Sequence, residues 1–426
     1  MPPRSVNSIC PVITVAEHLN RILAMVPVLE VEKAGLPEAR GRFLASPVTA
    51  AIPVPPWTNS AMDGYAVRFD DLAGASQQSP VTLRVVGDLP AGTGEDPAIG
   101  PGEAVRIMTG APVPAAADTV IPQEMTDGGL EEVRIEEQLP RGRHIRREGE
   151  DRAQGDQVSP AGIELSPESL AAMASAGIGE VIVARRPRVA VISTGDELVA
   201  PGEPVLRGRI PDSNGLLVTM LAADAGALAE ADHAGDGPGQ LEAALGRNGG
   251  CDALVLTGGV SVGAFDPVKA LFEGDESVRF DRVAMQPGKP QAFGRLGESG
   301  PLVFGLPGNP VSAWVSFQMF VRPALRKMQG AARLFPEAVP ARATEDWKTP
   351  QGRMQVIPVR ISDENERKVL PAATGGSGSH LIASLAAADG YALVEPEVEK
   401  IKAGDLVPTV RLRDPEQFNH PQRRQP

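Results

Sequence analysis

Between residues 187 and 329, short apolar runs alternate with longer segments of helical period. The runs 189–193, 254–256 and 302–304 are apolar on both faces, as expected for buried strands. Helical spacing follows at 215–225 and at 311–325, and we predict the second segment to be an amphipathic helix. Near the N-terminus, Thr14 and Glu17 form a capping box for a helix that reaches Met25. Strands that alternate with helices predict an α/β domain with a mostly parallel sheet.

The regions on either side have a different pattern, with short alternating runs separated by glycine and proline turns. Residues 53–150 predict a β-domain, and residues 336–413 predict a small β-barrel or sandwich. Residues 36–50 predict a short helix and a strand, and a further helix begins at Pro167 and reaches Ala176. The fold class predicted for the whole chain is therefore multidomain α/β plus β, with β-rich domains flanking a central α/β domain.

The loop after the run 254–256 carries the clearest chemical signal. Three glycines fall within Thr257-Gly258-Gly259-Val260-Ser261-Val262-Gly263, and Pro267 then favours a helix start. Glycines allow the backbone to approach a ligand closely, and free N–H groups at a helix start attract anions. Asp266 stands beside this loop, and a carboxylate next to a phosphate needs a divalent cation between them. The alternative is a tight turn that merely requires positive φ angles.

Two further loops follow apolar strands. Gln286-Pro287-Gly288-Lys289-Pro290 places a lysine on a rigid turn, and Gly305-Leu306-Pro307-Gly308-Asn309-Pro310 leads into the predicted helix 311–325. The carboxyl ends of parallel strands share one edge of a sheet, where open α/β sheets bind ligands. We therefore expect the three loops to converge on one anion-binding edge.

Acidic residues follow other predicted strands of the same domain. Asp196 and Glu197 come directly after the run 189–193, and they are either solvated loop charges or ligands of a metal or hydroxyl. Asp236 lies between two glycines. Asp212 and Ser213 are expected to cap the helix 215–225, and Asn214 is a candidate to face the cleft.

Segments outside the α/β domain also combine turn and polar residues. Asp63 with Gly64 is typical of a hairpin, and Thr109 before Gly110 is typical of a turn, yet polar residues surround both. In the last domain, small residues that include Ser379 precede the segment 381–385. They predict either a simple helix cap or an oxyanion site at the start of a helix.

Composition narrows the function classes. The chain has 426 residues with 41 basic and 54 acidic side chains, a formal charge of −13, which disfavours nonspecific binding to nucleic acid or anionic membranes. An anionic ligand must therefore be held by local donors. Two cysteines without ligand spacing exclude a disulfide framework, and the five histidines lack paired zinc spacing. With no apolar run long enough for a bilayer and no signal-peptide core, we expect a cytoplasmic protein.

Taken in order, the segments resemble the molybdopterin molybdenumtransferases, a family of molybdenum-cofactor synthesis that includes the E domain of gephyrin. The resemblance spans nearly the whole chain. It rests on PPWTNSAMDGYAV (55–67), RIMTGAPVP (106–114), STGDEL (193–198), PDSNG (211–215), TGGVSVGAFD (257–266), QPGKP (286–290), GLPGNPVSA (305–313) and GSHLIASL (378–385).

The resemblance implies an elongated homodimer whose central α/β domain is similar to molybdopterin adenylyltransferases. The implied boundaries are 1–34 with 187–329 for this domain, 35–52 with 151–186 for a small linking α/β domain, 53–150 for a β-domain reaching the partner subunit, 335–415 for a β-barrel-like domain and 416–426 for a disordered tail.

The implied reaction inserts molybdenum from molybdate into adenylylated molybdopterin and releases AMP, with Mg²⁺ as the cofactor. Tungstate matches molybdate in size and charge and is the alternative oxyanion. Molybdopterin adenylyltransferase and apo-molybdoenzymes are the implied protein partners.

Residue roles carry over with the motifs. The catalytic set is Asp63, Thr109, Glu197, Asp236, Asp266 and Lys289, and the metal ligands are Asp266 and Glu197. The substrate-binding set is Thr257, Gly258, Gly259, Ser261, Gly263, Pro287, Gly288, Pro307, Gly308, Asn309 and Ser379.

The chain departs from some relatives in the family. Gln286 and Pro358 stand where some members carry a basic residue, so Arg353 or Arg360 are candidates to replace one contact to the oxyanion. Two alternative functions are adenylyl transfer to molybdopterin and a non-catalytic, gephyrin-like scaffold. The flanking β-domains disfavour the first alternative, and the full set of acids with Lys289 disfavours the second.

Overall fold

The computed structural model describes residues 12–259, 267–272, 277–363, 366–373 and 378–412. Ser261, Gly263, Asp266 and the tail 416–426 lie outside these ranges. In the described part of the chain, every helix is too short or too polar to span a lipid bilayer.

A seven-stranded sheet forms the centre of the α/β unit. Its strands are β1 Val12–Ile13, β2 Arg188–Thr194, β3 Leu228–Ala234, β4 Ala253–Thr257, β5 Val278–Val283, β6 Pro290–Arg295 and β7 Leu302–Leu306. Their order in the sheet is β1-β5-β6-β7-β4-β2-β3, and β6 alone runs antiparallel to the others. The predicted apolar runs are the adjacent parallel strands β2, β4 and β7, as expected.

Helices cover both faces of this sheet because successive strand residues point to opposite sides. The helices are α1 Val15–Met25, α2 Ser213–Asp224, α3 Gln240–Arg247, α4 Pro267–Leu271 and α5, residues 310–328, which joins Pro310–Ser316, a π-helical turn Phe317–Val321 and Arg322–Met328. Val189 and Val191 pack with α1, α2 and α5, whereas Ala190 and Ile192 pack with α3 and α4. The capping box of Thr14 and Glu17 at α1 is confirmed.

The prediction that 311–325 is amphipathic is wrong. Every residue from 311 to 321 is buried, because α5 lies between the sheet and the C-terminal unit and contacts apolar groups on both sides. Tyr391 and Val410 of the C-terminal unit belong to the same apolar cluster as Phe317.

The segment 31–52 pairs with 157–184 rather than with the central sheet. Val31–Gly35 pairs with Glu180–Ala184, so the predicted boundary at residue 34 falls inside this strand. Val48–Thr49 pairs with Gln157–Ser159, and a helix runs over Pro167–Ser175. The predicted helix within 36–50 is absent from this described segment. Ala39 N closes one turn onto Gly35 O, but Gly41 then takes a left-handed φ of 72° that ends the turn.

Residues 59–135 form a five-stranded, mainly antiparallel sheet, as predicted for a β-domain. Its order is Thr119–Pro122, Gly64–Val67, Glu103–Ile107, Val81–Leu89 and Glu132–Ile135. Short paired segments lie outside it at Asn59–Ser60 and Ile145–Arg146.

The C-terminal strands close into a ring, because Met354–Ser362 pairs with both Lys368–Pro371 and Gly390–Val394. Ala338–Ala343 and Leu406–Arg411 complete the ring, Trp347–Lys348 pairs with Lys400–Ile401, and a short helix spans Ile382–Leu385. Met285–Gln286 adds to the edge of Met354–Ser362, which fixes this barrel beside the turn that carries Lys289.

Candidate functional site

The predicted loops meet at the carboxyl edge of the central sheet. Strands β2, β4 and β7 are adjacent and parallel, so the segments after residues 194, 257 and 306 leave the sheet at the same edge. Because β5 runs in the same direction as β7, the turn from β5 to β6 also lies there. The expected convergence of three glycine-rich loops is confirmed, and the acidic loops after β2 and β3 join them.

The glycines after β4 are required by close packing as well as by backbone angle. Gly258 and Gly259 have φ angles of 96° and 66°, and Gly258 N donates to Leu306 O at 3.1 Å. A Cβ on Gly258 would lie 3.0 Å from Thr194 Oγ1. Below the loop, Thr257 Oγ1 donates to Ser193 Oγ at 3.2 Å. A turn of bare backbone therefore faces the ligand edge, as an anion site needs.

The loop after β7 begins α5 and touches the first glycine loop. Pro307 is buried, whereas Gly308 and Asn309 are exposed at the edge. A Cβ on Gly308 would lie 3.6 Å from Gly258 Cα, so the two loops form one surface. Asn309 is the N-cap of α5 but forms no side-chain cap bond, which leaves its amide available to a ligand.

Asn214 ties this loop to α2. Its Nδ2 donates to Gly308 O at 2.6 Å, and its Oδ1 is buried without a partner in the described part of the chain. The expectation that Asn214 faces the cleft is consistent with this contact. Asp212 caps α2 as predicted, because its Oδ1 accepts a 2.8 Å bond from Gly215 N.

The acidic end of the edge is formed by the loops after β2 and β3. Asp196 N donates to Asp236 Oδ2 and Asp236 N donates to Asp196 Oδ1, each at 3.1 Å. The predicted residue Asp236 is therefore held by Asp196, the other acid that the sequence places at this edge beside Glu197. Gly195 has φ 140°, and a Cβ there would lie 2.3 Å from Glu197 Oε2. The Glu197 carboxylate thus folds back over the loop, exposed and without an ion-pair partner in the described ranges.

Lys289 lies at the other end of the edge. Gln286 and Pro287 are joined by a cis peptide bond, and Gly288 has φ 101°. Val283 N donates to Lys289 O at 2.7 Å, which closes the turn between β5 and β6. The side chain of Lys289 is half-buried.

A buried glutamine fixes this turn against α5. Gln291 is 2% exposed, and its Nε2 donates both to Gly288 O at 2.6 Å and to Ser316 Oγ at 2.7 Å. Sequence reasoning missed Gln291 because it lies inside a strand and belongs to no motif. Its only signal was a glutamine two residues after the lysine in an otherwise apolar run.

The acids and the lysine are well separated along the edge. Three strand intervals lie between β2, which precedes Glu197, and β6, which follows Lys289. At about 4.8 Å per interval this is roughly 14 Å. This is the spacing of the backbones that carry the two groups, and an edge of this width fits an extended ligand with charges at more than one position.

Asp63 and Thr109 are brought together in the β-rich unit. Asp63 Oδ1 accepts bonds from Thr109 N at 2.7 Å and from Thr109 Oγ1 at 2.8 Å. These two bonds, the backbone one first, hold the pKa of Asp63 below its usual range. Both side chains are exposed at the surface of this unit.

Ser379 lies against the start of α5. Its carbonyl oxygen accepts a 3.0 Å bond from Val311 N, which satisfies one free donor at this helix end. The alternative that Ser379 caps the next helix is wrong, since that helix begins at Ile382 with Leu381 as its N-cap. Ser379 therefore borders the edge next to the Gly308 loop.

A divalent cation would need oxygen ligands from more than one loop. The described residues contain no group of three acidic, histidine or cysteine side chains placed to hold a metal ion. The predicted ligand Asp266 lies outside those residues, as do Ser261 and Gly263. Glu197 fits a cation by its exposed, unpaired carboxylate.

Three family models match the chain in order. They are the MoeA N-terminal region (domain I and II) over residues 13–177, the probable molybdopterin binding domain over 190–327, and the MoeA C-terminal region (domain IV) over 340–412. Together they span most of the chain.

Individual proteins are similar over nearly their whole length. Molybdopterin molybdenumtransferase 2 of Mycobacterium tuberculosis is 40% identical over 399 residues, covering 92% of this chain and 97% of that protein. Molybdopterin molybdenumtransferase of Haemophilus influenzae is 36% identical, covering 96% and 99%. Among solved structures, a molybdopterin biosynthesis moeA protein from Pyrococcus horikoshii OT3 superposes with a TM-score of 0.79 at 27% identity, covering 94% and 100%.

Proposed function

This chain belongs to the molybdopterin molybdenumtransferase family, which transfers molybdenum to molybdopterin, and we propose that it takes adenylylated molybdopterin and molybdate as substrates and releases AMP. The observation that carries the proposal is the arrangement of the sheet edge. Two glycine loops lie between an acidic end and a lysine roughly 14 Å apart, a span suited to a ligand with a pterin, linked phosphates and a nucleoside.

The protein contributes binding, orientation and charge. The backbone N–H of Gly259, the N–H groups at the start of α5 that remain free and the Lys289 ammonium bind the phosphates, because the N–H groups of Gly258 and Val311 are already bonded to Leu306 O and Ser379 O. Asn309 and Ser379 border the start of α5 and orient the ligand there. The dithiolene sulfurs of the substrate receive molybdenum, and molybdate supplies it.

Mg²⁺ is the proposed cofactor, with Glu197 and Asp266 as its protein ligands. When bound, it supplies positive charge that stabilises the departing AMP phosphate. Asp236 and Asp196 hold each other through their backbone N–H groups, which fixes the loop that carries Glu197.

The direct test incubates the pure protein with adenylylated molybdopterin and molybdate under anaerobic conditions. We expect AMP release and active cofactor that reconstitutes an apo-molybdoenzyme, both dependent on Mg²⁺. Glu197→Gln should lower the rate by orders of magnitude, as loss of an electrostatic group at the reacting centre does. Glu203→Gln removes the same charge from a nearby exposed position and should be neutral. The proposal would be contradicted if AMP were released without transfer of molybdenum to molybdopterin, or if Glu197→Gln and Glu203→Gln had equal rates.

A second part of the proposal is that Asp63 and Thr109 act in the cleft of the partner subunit of a homodimer. Asp63 Oδ1 accepts both bonds from Thr109, no hydrogen bond to Oδ2 is found among the described residues, and the side chain is exposed, so Oδ2 is available to a ligand. Remixing Asp63→Ala and Glu197→Ala dimers at equal amounts makes half of them mixed. Each mixed dimer then has one intact site, and about a quarter of wild-type activity should return. If exchange is confirmed and no activity returns, each site is built within one subunit.

A further inference from the structure

A partly open cavity between the α/β unit and the C-terminal barrel contains an arginine that the proposed reaction does not use. The cavity has a volume of about 290 Å³ and lies between the end of α2, the middle of α5 and the C-terminal barrel. Arg322 lines it, together with Asp224, Gln318 and Trp314. Arg322 is thirteen residues after Asn309 along α5, which places it about 20 Å from the ligand edge. The cavity is therefore distinct from the candidate active site.

The guanidinium of Arg322 lacks a counterion. Its Nη1 donates to Gln318 Oε1 at 3.2 Å, its Nε is buried without a partner, and no carboxylate of the described residues lies within ion-pair distance. Burial lowers the pKa of Arg322, and the nearby Arg326 adds to the effect. Arg322 is part-buried, and an anion bound beside it would supply the ion-pair partner that its guanidinium does not have among the described residues.

The local backbone is unusual at the same place. The π-helical turn Phe317–Val321 comes directly before Arg322, and the Arg322 N–H bonds to Phe317 O five residues earlier. Single π-turns within α-helices occur frequently at functional sites. Here the turn sets the direction in which Arg322 leaves α5.

The walls of the cavity restrict the class of ligand. Leu221, Trp314, Phe317 and Leu385 are apolar or aromatic, whereas a guanidinium binds planar carboxylates through paired N–H donors. The exposed Asp224 carboxylate lines the same cavity and would repel a second negative charge. The volume is at the lower limit for small-molecule sites. We propose that this cavity binds a small organic monocarboxylate with an apolar body, its carboxylate on Arg322.

The test uses 3-methylbutanoate as the probe, with its uncharged amide and inorganic phosphate as comparisons. Binding to the full chain is measured by calorimetry and by its tryptophan fluorescence, to which Trp314 in the cavity wall contributes together with Trp57 and Trp347. We expect saturable binding of the carboxylate and none of the amide. Arg322→Gln should weaken binding at least about tenfold, as loss of a charged hydrogen bond does. Asp224→Asn should strengthen it by about two- to fivefold, because it removes an exposed repulsive charge.

Arg326→Gln is the matched control. Arg326 is four residues further along α5, is already paired with Glu164 at 3.2 Å, and lies 4.8 Å over the Phe43 ring. Its loss should leave carboxylate binding unchanged. The proposal is overturned if the carboxylate does not bind throughout the millimolar range, if phosphate binds in preference, or if Arg326→Gln weakens binding as much as Arg322→Gln. If Arg322→Gln does not fold, a lack of any effect of Asp224→Asn overturns it equally.

Discussion

Replacement of Gln291 by leucine should weaken ligand binding only through Lys289. Gln291 Nε2 donates to Gly288 O and to Ser316 Oγ at 2.6 and 2.7 Å, and it is the side-chain link between the lysine turn and α5. Leucine has a similar volume but cannot donate. The turn should then lose its fixed position while the surrounding apolar packing is largely kept.

The magnitude follows from these two bonds. Each hydrogen bond contributes about 1 kcal/mol net, and the two acceptors left buried add to the loss, so unfolding should become easier by about 2–4 kcal/mol. A hydrogen bond from a charged donor contributes about 1.5–3 kcal/mol, or roughly ten- to a hundredfold in affinity. The loss in Lys289→Ala sets the upper limit for Gln291→Leu, for which we expect a smaller, roughly three- to tenfold loss.

The assay is the dissociation constant of adenylylated molybdopterin for wild type, both single variants and the double variant. If Gln291 acts through Lys289, the double variant should bind no more weakly than Lys289→Ala alone. Gln329→Leu is the matched control. Gln329 is also 2% exposed, and its Nε2 donates to Ala225 O and Leu325 O at 2.8 and 2.9 Å, away from the edge. It should lose similar stability and keep wild-type affinity.

Two results would refute this reasoning. One is a double variant whose loss in binding free energy equals the sum of the two single losses. The other is a Gln329→Leu variant that binds as weakly as Gln291→Leu, which would mean that general destabilisation causes the effect.

Two further predictions concern titrating groups. Thr109→Val should raise the pKa of Asp63 towards its ordinary value, because the hydroxyl bond is lost while the backbone bond remains. Carbon NMR of the Asp63 carboxyl should show this shift. The acid limb of the pH profile of any activity that needs ionised Asp63 should move to higher pH. For Asp252, burial alone raises the pKa, but the bonds from Arg185 at 2.7 Å outweigh it and hold the pKa below its usual range. Since the folded pKa is lowered, this stabilisation is present above about pH 4 and is lost as the pH falls through the folded value. Denaturation at a series of pH values should therefore show that the free energy of unfolding of Asp252→Asn is lower than that of wild type by about 2 kcal/mol near pH 7 and equal to it in acid. If this difference between variant and wild type stays the same in acid, the prediction is contradicted.

The position of the site could be predicted because strand direction and loop chemistry are local properties. The runs that contain Val189, Leu254 and Leu302 are apolar on both faces, which identifies buried parallel strands. Once they are parallel, the segments after them must share an edge. The convergence of Gly258, Gly308 and the Glu197 loop needed no knowledge of strand order.

Other features depend on contacts distant in sequence. The strand Pro290–Arg295 runs antiparallel between two strands, and its local pattern does not show the direction of its neighbours. Residues 311–321 of α5 are all buried because the C-terminal barrel covers the face that its sequence suggested was exposed. Gln291 and Asn214 likewise gain their roles from partners 25 and 94 residues away.

Strand order has one consequence that the motifs alone could not supply. The order β3-β2-β4-β7-β6 separates the backbones that carry Glu197 and Lys289 by roughly 14 Å, and we expect the two side chains to act on different parts of one ligand. Groups this far apart with no shared partner usually contribute additively. The losses in binding free energy of Glu197→Gln and Lys289→Ala should therefore sum in the double variant, measured with Mg²⁺ and adenylylated molybdopterin. This is the opposite of the result expected for Gln291 and Lys289. A double Glu197 and Lys289 variant that binds as well as either single variant would mean that both residues act on one phosphate, and it would refute their assignment to different parts of the ligand.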